Sequence, residues 1–315
     1  MAARRTWIWL VIGAAIGIAA LSMFGDVRGL GASLDGFEWG AFAACIGLAC
    51  ANYAIRWTRF ELYLRRQGAR VPLASSAIVF GAGLSLAITP AKMGELVKCY
   101  LLRDMHGVPV TQTAPVIVAE RVTDLIALLL IAVIGVAVYG VGVAVLVTAA
   151  AVVAVLFVLL ATPRLTTALV ELATRPRAVQ RFRAPLLDLY GGLATLCHPR
   201  TLVPATVIAV PAWACESIGF GLIVNAFPGT HCDLGLAMVI YAATTIAGAL
   251  SFLPGGLGVT EGTMTLLLVR GAAHVAQSTA TAATLLARLA TLWFAVALGL
   301  VFVAAARRRT RRLVA

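Results

Sequence analysis

The stretch LSFLPGGLGVTE, residues 250–261, interrupts an apolar segment with a proline and three glycines and then supplies a carboxylate. The stretch LSLAITPAKMGE, residues 84–95, follows the same plan. The correspondence continues, because Arg121 follows Glu95 by 26 residues and Arg288 follows Glu261 by 27. A duplicated pair of broken apolar segments is the sequence pattern that best points to a transport site in a membrane protein.

The composition predicts an all-α, polytopic membrane protein. Hydrophobic residues make up 61% of the 315 positions and charged residues 12%, so apolar windows long enough to cross a bilayer recur along the chain. We expect one membrane domain over residues 1–315. The net charge of +12 comes from basic residues in short loops between apolar segments, which indicates topology and argues against nucleic acid as a partner.

The arginine-rich segments predict which loops are cytoplasmic. Residues 26–38 and 227–233 are poor in basic residues and are predicted to be external. Both termini are then cytoplasmic, in a protein of the cytoplasmic (inner) membrane. The basic clusters are Arg4 and Arg5; Arg56, Arg59, Arg65, Arg66 and Arg70; the arginines from Arg164 to Arg200; and those from Arg307 to Arg312. About six full crossings follow, at residues 7–25, 37–57, 113–138, 141–162, 201–226 and 280–306.

The N-terminal segment at residues 7–25 also fits a signal peptide, but we expect an uncleaved first helix because the apolar run is long and lacks a clear cleavage site.

The parity of these crossings leaves residues 73–105 and 234–270 as two re-entrant hairpins that enter from opposite faces. They form an inverted repeat, with repeat cores at about 73–138 and 234–306. Residues 79–89, as a helix, would span about 16 Å and reach only the bilayer midplane. Two ordinary spanning helices, giving eight crossings, remain the alternative.

Proline and glycine explain why the chain would turn at that depth. Pro90 and Pro254 each remove a backbone donor and disfavour helix in the residue before them. Glycine permits left-handed backbone and close helix contact. Irregular backbone within a membrane must be buried or line a cavity. The glycines concerned are Gly94, Gly255, Gly256 and Gly258.

Several ionisable residues fall inside the apolar segments, where an unpaired charge costs at least about 3 kcal/mol. Glu120 and Asp124 are spaced i, i+4 on one helix, so together they can bind a cation or hold an arginine. Lys92 and Lys98, the only lysines, flank Glu95 at spacings of three. The start of a helix after Pro90 would offer free N–H groups at Met93 and Gly94.

These features predict an anionic headgroup held between the two broken segments, with Arg121 and Arg288 as guanidinium contacts. The simpler alternative is that Glu95 pairs with Arg121 and Glu261 with Arg288, and both interpretations can hold together. Glu216 is a candidate proton or counter-ion site. The predicted substrate-binding set is Lys92, Gly94, Glu95, Lys98, Glu120, Arg121, Asp124, Gly255, Gly256, Gly258, Glu261 and Arg288.

No Walker motif, zinc spacing or nucleophile elbow occurs, and the six cysteines lack paired spacing, so we expect no cofactor, metal or catalytic residue. The segment at residues 163–200 mixes arginines with leucines and predicts either an interfacial segment on the anionic cytoplasmic leaflet or a connecting loop. Homo-oligomerisation is left open.

The chain resembles the family of the transmembrane region of lysylphosphatidylglycerol synthases, also called flippase-like membrane proteins. The motifs that carry the resemblance cover most of the chain, although Ala91 stands where the family usually has glycine. They are Thr89-Pro90 through Gly94-Glu95; Ala119-Glu120-Arg121 with Asp124; Pro254-Gly255-Gly256-Leu257-Gly258 with Glu261-Gly262; and Arg288-Leu289 with Thr291 and Trp293.

In lysyl-lipid members of that family, this domain precedes an aminoacyltransferase domain and is associated with moving the lipid between leaflets. The resemblance therefore implies a stand-alone transport protein, a flippase or scramblase for a phospholipid or a polyprenyl-linked glycolipid. Members have also been linked to hopanoid transport and glycosylation. The alternatives are a membrane glycosyltransferase or accessory subunit that uses Asp124 or Glu120 as base, and a small-solute or ion transporter.

Overall fold

A computed structural model describes residues 34–139, 143–271 and 275–314, which form helices and connecting turns without a strand. The all-α prediction is therefore confirmed, while the predicted crossing at residues 7–25 lies outside the described residues. The helices are α1 Trp39–Arg66, α2 Leu73–Leu84, α3 Val97–His106, α4 Val110–Tyr139, α5 Val143–Ala161, α6 Pro163–Ala173, α7 Arg183–Leu196, α8 Pro199–Asn225, α9 Leu234–Leu250, α10 Val259–Arg270, α11 Gln277–Arg288 and α12 Phe294–Val314. Short 3-10 turns occupy Pro90–Leu96, Gln180–Phe182 and Pro254–Gly256, and a π-helical turn, Leu289–Trp293, joins α11 to α12.

Four helical stretches in the described part of the chain are long and apolar enough to cross a membrane. They coincide with the last four predicted crossings and are Val110–Tyr139, Val143–Ala161, Pro199–Asn225 and Gln277–Arg309. The predicted crossing at 37–57 begins in α1, but this helix continues to Arg66. Arg56 and Arg59 were predicted to lie with a basic loop; that is wrong, because both belong to α1 and their side chains are buried.

Two broken-helix hairpins lie at the positions that the repeats predict. Hairpin 1 comprises α2, the turn Pro90–Leu96 and α3; hairpin 2 comprises α9, the turn Pro254–Gly256 and α10. The 12 residues of α2 span about 18 Å and the 17 of α9 about 26 Å, both short of a hydrocarbon core of about 30 Å. Their re-entrant placement in a bilayer remains a prediction.

The arms of each hairpin fold back on each other. A Cβ placed on Gly83 of α2 would lie 2.8 Å from the Lys98 side chain of α3, and one on Gly248 of α9 would lie 2.0 Å from the Thr260 hydroxyl oxygen of α10. The predicted end of the helix over residues 79–89 is wrong, because α2 stops at Leu84 and turns lie between it and Pro90.

The helices around the hairpins pack in an exchanged pattern that fits an inverted repeat. Helix α2 of hairpin 1 packs on α12, which follows hairpin 2, and α9 of hairpin 2 packs on α4, which follows hairpin 1. Helices α1 and α8 pack extensively against each other. The approach of α12 is close, because a Cβ on Gly299 would lie only 2.1 Å from the backbone nitrogen of Ser85.

The tips of the two hairpins meet. Gly255 has a left-handed φ of +60°, and a Cβ placed there would lie 3.1 Å from Cγ1 of Ile88 and 3.2 Å from Cδ2 of Leu292. The contact forms a small apolar cluster separate from the two main cores, made of Ala87, Ile88, Leu257, Leu292 and Val296. The hairpins therefore touch through apolar side chains, with glycine allowing the approach.

The segment between α5 and α8 contains α6, the turn Gln180–Phe182 and α7. Arg183 forms an exposed ion pair with Glu171 at 2.6 Å. Exposed apolar side chains are typical of a segment that lies at a membrane interface. They agree with the predicted contact between this segment and an anionic leaflet, which stays a prediction. The exposed apolar residues are Leu165, Leu169, Leu172, Phe182 and Leu186.

Candidate functional site

A cavity of about 290 Å³, here called the central cavity, lies between the two hairpins and helices α1, α4, α8 and α11. Its wall combines leucines and alanines with six charged side chains. These are Arg56, Lys92, Arg121, Asp124, Glu216 and Arg288. Five of the six belong to the predicted substrate or proton sites, whereas Arg56 was not predicted.

Asp124 of α4 is the centre of an arginine cluster. Its Oδ1 accepts hydrogen bonds from Nη2 of Arg59 at 2.6 Å and from the indole nitrogen of Trp213 at 3.0 Å. Its Oδ2 lies 3.2 Å from Nη2 of Arg121 and 3.8 Å from Nη2 of Arg56. Three guanidinium groups thus compensate one buried carboxylate.

Lys98 of α3 joins two further carboxylates. Its Nζ donates to Glu95 at 2.8 Å and to Glu120 at 2.6 Å, and the three side chains are almost fully buried. Nη2 of Arg121 lies 3.4 Å from Oε2 of Glu95, the oxygen that Lys98 also contacts. The triad of Lys98, Glu95 and Glu120 therefore connects to the cluster at Asp124. Lys98, Glu95 and Glu120 do not line the central cavity; they anchor α3 to α4 behind its wall.

The first half of the site carries more positive than negative charge. The connected network contains four cations, Arg56, Arg59, Lys98 and Arg121, and three carboxylates. Lys92 adds a fifth cation, and within the described residues no carboxylate oxygen lies within 4 Å of it. Its Nζ lies 5.6 Å from the centroid of the Trp213 ring instead.

In the second half, Glu261 and Arg288 hold the tip of hairpin 2. Nε of Arg288 donates to Oε1 of Glu261 at 2.6 Å, and Nη2 donates to the carbonyl of Gly255 at 2.5 Å. The other oxygen of Glu261 accepts from the N–H of Gly258 at 2.7 Å. Glu261 and Gly258 therefore form a structural cap outside the cavity wall, while Gly255, Gly256 and Arg288 line the wall. The predicted ion pairs of both repeats are present.

The predicted anion site on the backbone of hairpin 1 is wrong in one respect. The prediction used the N–H groups of Met93 and Gly94, and the N–H of Gly94 donates to the hydroxyl of Thr89 at 2.7 Å, so it is not free for a ligand. The N–H of Lys92, which was not part of the prediction, donates to the Thr89 carbonyl at 2.8 Å, so Thr89 closes the turn. Gly94 is needed for space, since a Cβ there would lie 2.6 Å from that of Leu86.

Two aromatic side chains make corresponding contacts in the two halves. Tyr53 of α1 donates its hydroxyl to the carbonyl of Thr291 at 2.7 Å, and Trp213 of α8 donates to Asp124. Thr291 follows Arg288 by three residues, as Asp124 follows Arg121. The repeat thus extends to α1 and α8, which the sequence did not show. An aromatic residue three positions before a charged one, in an apolar segment, is the signal that the two helices share.

The model of the family described as lysylphosphatidylglycerol synthase TM region matches residues 9–299. The chain belongs to this family. A UPF0104 membrane protein of Methanothermobacter thermautotrophicus is 31% identical over 124 residues. That match covers 39% of this chain and 36% of the relative, so it spans about a third of the relative's length.

Glu216 of α8 differs from the other buried carboxylates of the described residues. Its Oε2 accepts a hydrogen bond from the Tyr241 hydroxyl at 2.7 Å. No lysine or arginine nitrogen of the described residues lies within 4 Å of it, whereas Glu95, Glu120 and Asp124 each have a cationic partner. The same part of the chain has no group of three or more histidine, cysteine, aspartate or glutamate side chains arranged for a metal.

Proposed function

We propose that the central cavity binds the polar or anionic headgroup of a membrane lipid and carries it between leaflets while the lipid tails remain in the bilayer. The observation that carries this proposal is the cationic surplus on the cavity wall at the point where the two hairpin tips meet. Lys92 has no carboxylate partner among the described residues, and Arg56, Arg121 and Arg288 line the same space. The substrate class is a phospholipid or a polyprenyl-linked glycolipid, both of which carry phosphate.

The available donors support a phosphate ligand. Nε and Nη2 of Arg56 and Nε of Arg121 are buried and make no hydrogen bond within the described part of the protein. Buried polar groups without partners are costly, and guanidinium groups bind phosphate oxygens with two donors at once. These nitrogens are covered by protein atoms, so a phosphate that binds beside Arg56, Arg121 and Lys92 reaches them when the two arginine side chains turn toward the cavity.

The remainder of the wall suits an amphiphile better than a hydrated ion. Leucines from hairpin 1, α4 and hairpin 2 line the cavity beside the charged groups. A mostly apolar pocket with a few convergent polar groups is the usual form of a site for a small organic ligand. The leucines are Leu84, Leu125, Leu128, Leu250 and Leu253.

The family membership fits this proposal, because the family name refers to an aminoacylated phospholipid. Use of Asp124 or Glu120 as a catalytic base receives less support from the geometry. A general base must lie within hydrogen-bond reach of the substrate proton that it removes. Glu120 does not line the central cavity, and Asp124 is ion-paired with Arg59 and Arg121. We therefore propose a transport protein rather than an enzyme.

The test reconstitutes purified protein in liposomes that contain fluorescently labelled phosphatidylglycerol and follows dithionite quenching of the outer leaflet. We expect the protein to make the inner-leaflet label accessible, and Lys92→Gln to slow this about tenfold, the effect of losing one charged contact. Arg164→Gln, at an exposed position of α6, is the control and should flip lipid at the wild-type rate.

Two further assays separate the alternatives. Saturable uptake of labelled glycerol phosphate into sealed vesicles, without lipid flipping, would replace the proposal with a soluble-anion transporter. Formation of a glycosylated product from a polyprenyl-phosphate sugar would replace it with a glycosyltransferase.

A further inference from the structure

Glu216 is the buried carboxylate that the proposed headgroup site does not use. It lies on the wall of the central cavity, three residues after Trp213, whose ring lies beside Arg56 and Lys92. Its one hydrogen-bond partner in the described part of the protein is the Tyr241 hydroxyl. A carboxylate placed in a membrane without a direct cationic partner is a candidate for a functional proton site.

Resting on the function proposed above, we propose that Glu216 binds a proton together with the anionic headgroup, so that headgroup binding and proton uptake are coupled in one cavity. The proton is gained by the carboxylate when the phosphate arrives and is released when the phosphate leaves. The bond that forms and breaks is the O–H bond of the carboxylic acid, with the proton taken from water on binding and returned to water on release.

The internal repeat supports this assignment. Tyr53 and Trp213 occupy corresponding places, because each hydrogen-bonds to the residue three positions after the motif arginine of the opposite half. The residues three positions further along the two helices are Arg56 and Glu216. One half therefore presents a cation to the cavity where the other presents an acid. Asp124 in turn corresponds to the uncharged Thr291. The second half therefore lacks a carboxylate three positions after its motif arginine.

The surroundings of Glu216 set the sign of the coupling. Arg56 and Arg288 line the same cavity and supply the positive potential that favours the ionised carboxylate. A phosphate that binds these arginines cancels that potential and adds its own repulsion. The charged or titratable groups that face Glu216 from the packed elements are Tyr53, Arg56 and Cys45 of α1, Arg121 and Asp124 of α4, Tyr241 of α9, Arg288 of α11, Lys92 of hairpin 1 and Cys215 of α8 itself.

The expected coupling is large enough to measure. Two negative charges about 10 Å apart repel each other at an effective dielectric constant of about 20. This repulsion means that an ionised Glu216 lowers the affinity of the cavity for the anionic headgroup by roughly tenfold. By reciprocity, protonation of Glu216 strengthens headgroup binding by the same factor that headgroup binding strengthens proton binding. Acidic buffer should therefore favour loading of the cavity and alkaline buffer should oppose it.

The experiment measures flipping of labelled phosphatidylglycerol in liposomes across a pH series, using a phosphodiester lipid because its own charge stays constant over that range. Wild-type protein should flip this lipid roughly tenfold faster at the acidic end under subsaturating lipid. Glu216→Gln resembles the protonated side chain. This variant should flip lipid at every pH at the rate that wild type reaches at the acidic end. Tyr241→Phe removes the hydrogen bond to the carboxylate and should shift the profile away from that of wild type.

Glu171→Gln, at an exposed position on α6, is the matched control and should keep the wild-type profile. A wild-type profile that is flat, or one that Glu216→Gln and Tyr241→Phe leave unchanged, overturns the proton site while leaving lipid flipping intact. Folded wild-type protein that flips no lipid at any pH overturns the proposed function, and the proton site falls with it. If Glu216→Gln does not fold, Tyr241→Phe alone decides, since its profile must shift.

Discussion

Arg288 donates from Nε to Oε1 of Glu261 at 2.6 Å and from Nη2 to the carbonyl of Gly255, so one side chain of α11 fixes both ends of the tip of hairpin 2. Arg121 and Glu95 are the corresponding pair of hairpin 1, at 3.4 Å. Because the tips meet at Ile88 and Gly255, these two pairs determine how the walls of the central cavity face each other.

Replacing Arg288 with alanine should loosen hairpin 2. The partner Glu261 would lose its cation, and we expect a loss of about 1–3 kcal/mol, below the range for fully buried pairs because both side chains are partly exposed. Thermal unfolding in detergent measures the loss. The double variant Arg288→Gln with Glu261→Gln should lose less unfolding free energy than the single variants Arg288→Gln and Glu261→Gln lose in sum. Strict additivity would show that the pair does not act as a unit.

Lys92 combines a charge with strained backbone, and two substitutions separate these properties. Its φ of +55° is unfavourable for a residue with a side chain, so Lys92→Gly should stabilise the turn by about 1 kcal/mol relative to Lys92→Gln. Both variants should weaken binding of phosphatidylglycerol about tenfold, because both remove the charge. Equal thermal stability of the two would argue against strain, and unchanged binding would remove Lys92 from the site.

The sequence predicted the broken hairpins and the pairs Glu95–Arg121 and Glu261–Arg288, because these features depend on proline, glycine and regular spacing within one repeat. It did not predict that Arg59 and Arg56 contact Asp124. Arginines near the end of an apolar run indicate a loop by composition, and only the packing of α1 on α4 shows that these two lie inside.

The contacts that cross between repeats were also beyond the sequence. Tyr53 bonds to Thr291 and Trp213 to Asp124 over large separations along the chain. Such contacts depend on how α1 and α8 pack, and periodicity gives no information on partners. Lys98 illustrates the same limit: its spacing from Glu95 was visible, but its burial against Glu120 was not.

Lys98 should matter more for stability than for headgroup binding. Lys98→Met leaves the fully buried Glu120 without a cation, and we expect destabilisation of about 3–5 kcal/mol. Adding Glu120→Gln should recover part of that loss, because a neutral amide is less costly to bury than an unpaired carboxylate. Thermal unfolding of both variants in detergent tests this; a double variant no more stable than Lys98→Met would contradict the assignment.

Gly299 should tolerate no side chain. An alanine Cβ would lie 2.1 Å from the backbone nitrogen of Ser85, so Gly299→Ala must push α12 away from hairpin 1. We expect a loss of about 1–3 kcal/mol from overpacking. Gly262→Ala in α10 is the control, since among the described residues no atom beyond its own helix backbone and chain neighbours would lie within 4 Å of the added Cβ, and it should be neutral or stabilising by up to about 1 kcal/mol. Similar unfolding temperatures for both would contradict the close packing.

The most direct test of lipid transport through the central cavity is the flipping rate of labelled phosphatidylglycerol by reconstituted protein that carries both Lys92→Gln and Arg56→Gln, compared with Arg164→Gln and with wild type. Cζ of Arg56 lies 5.9 Å and Nζ of Lys92 5.6 Å from the centroid of the Trp213 ring on the cavity wall, whereas Arg164 lies on exposed α6. We predict that the double variant, confirmed as folded by its thermal transition, loses at least about tenfold in rate while Arg164→Gln matches wild type. A folded double variant that flips lipid at the wild-type rate would contradict the role of the cavity.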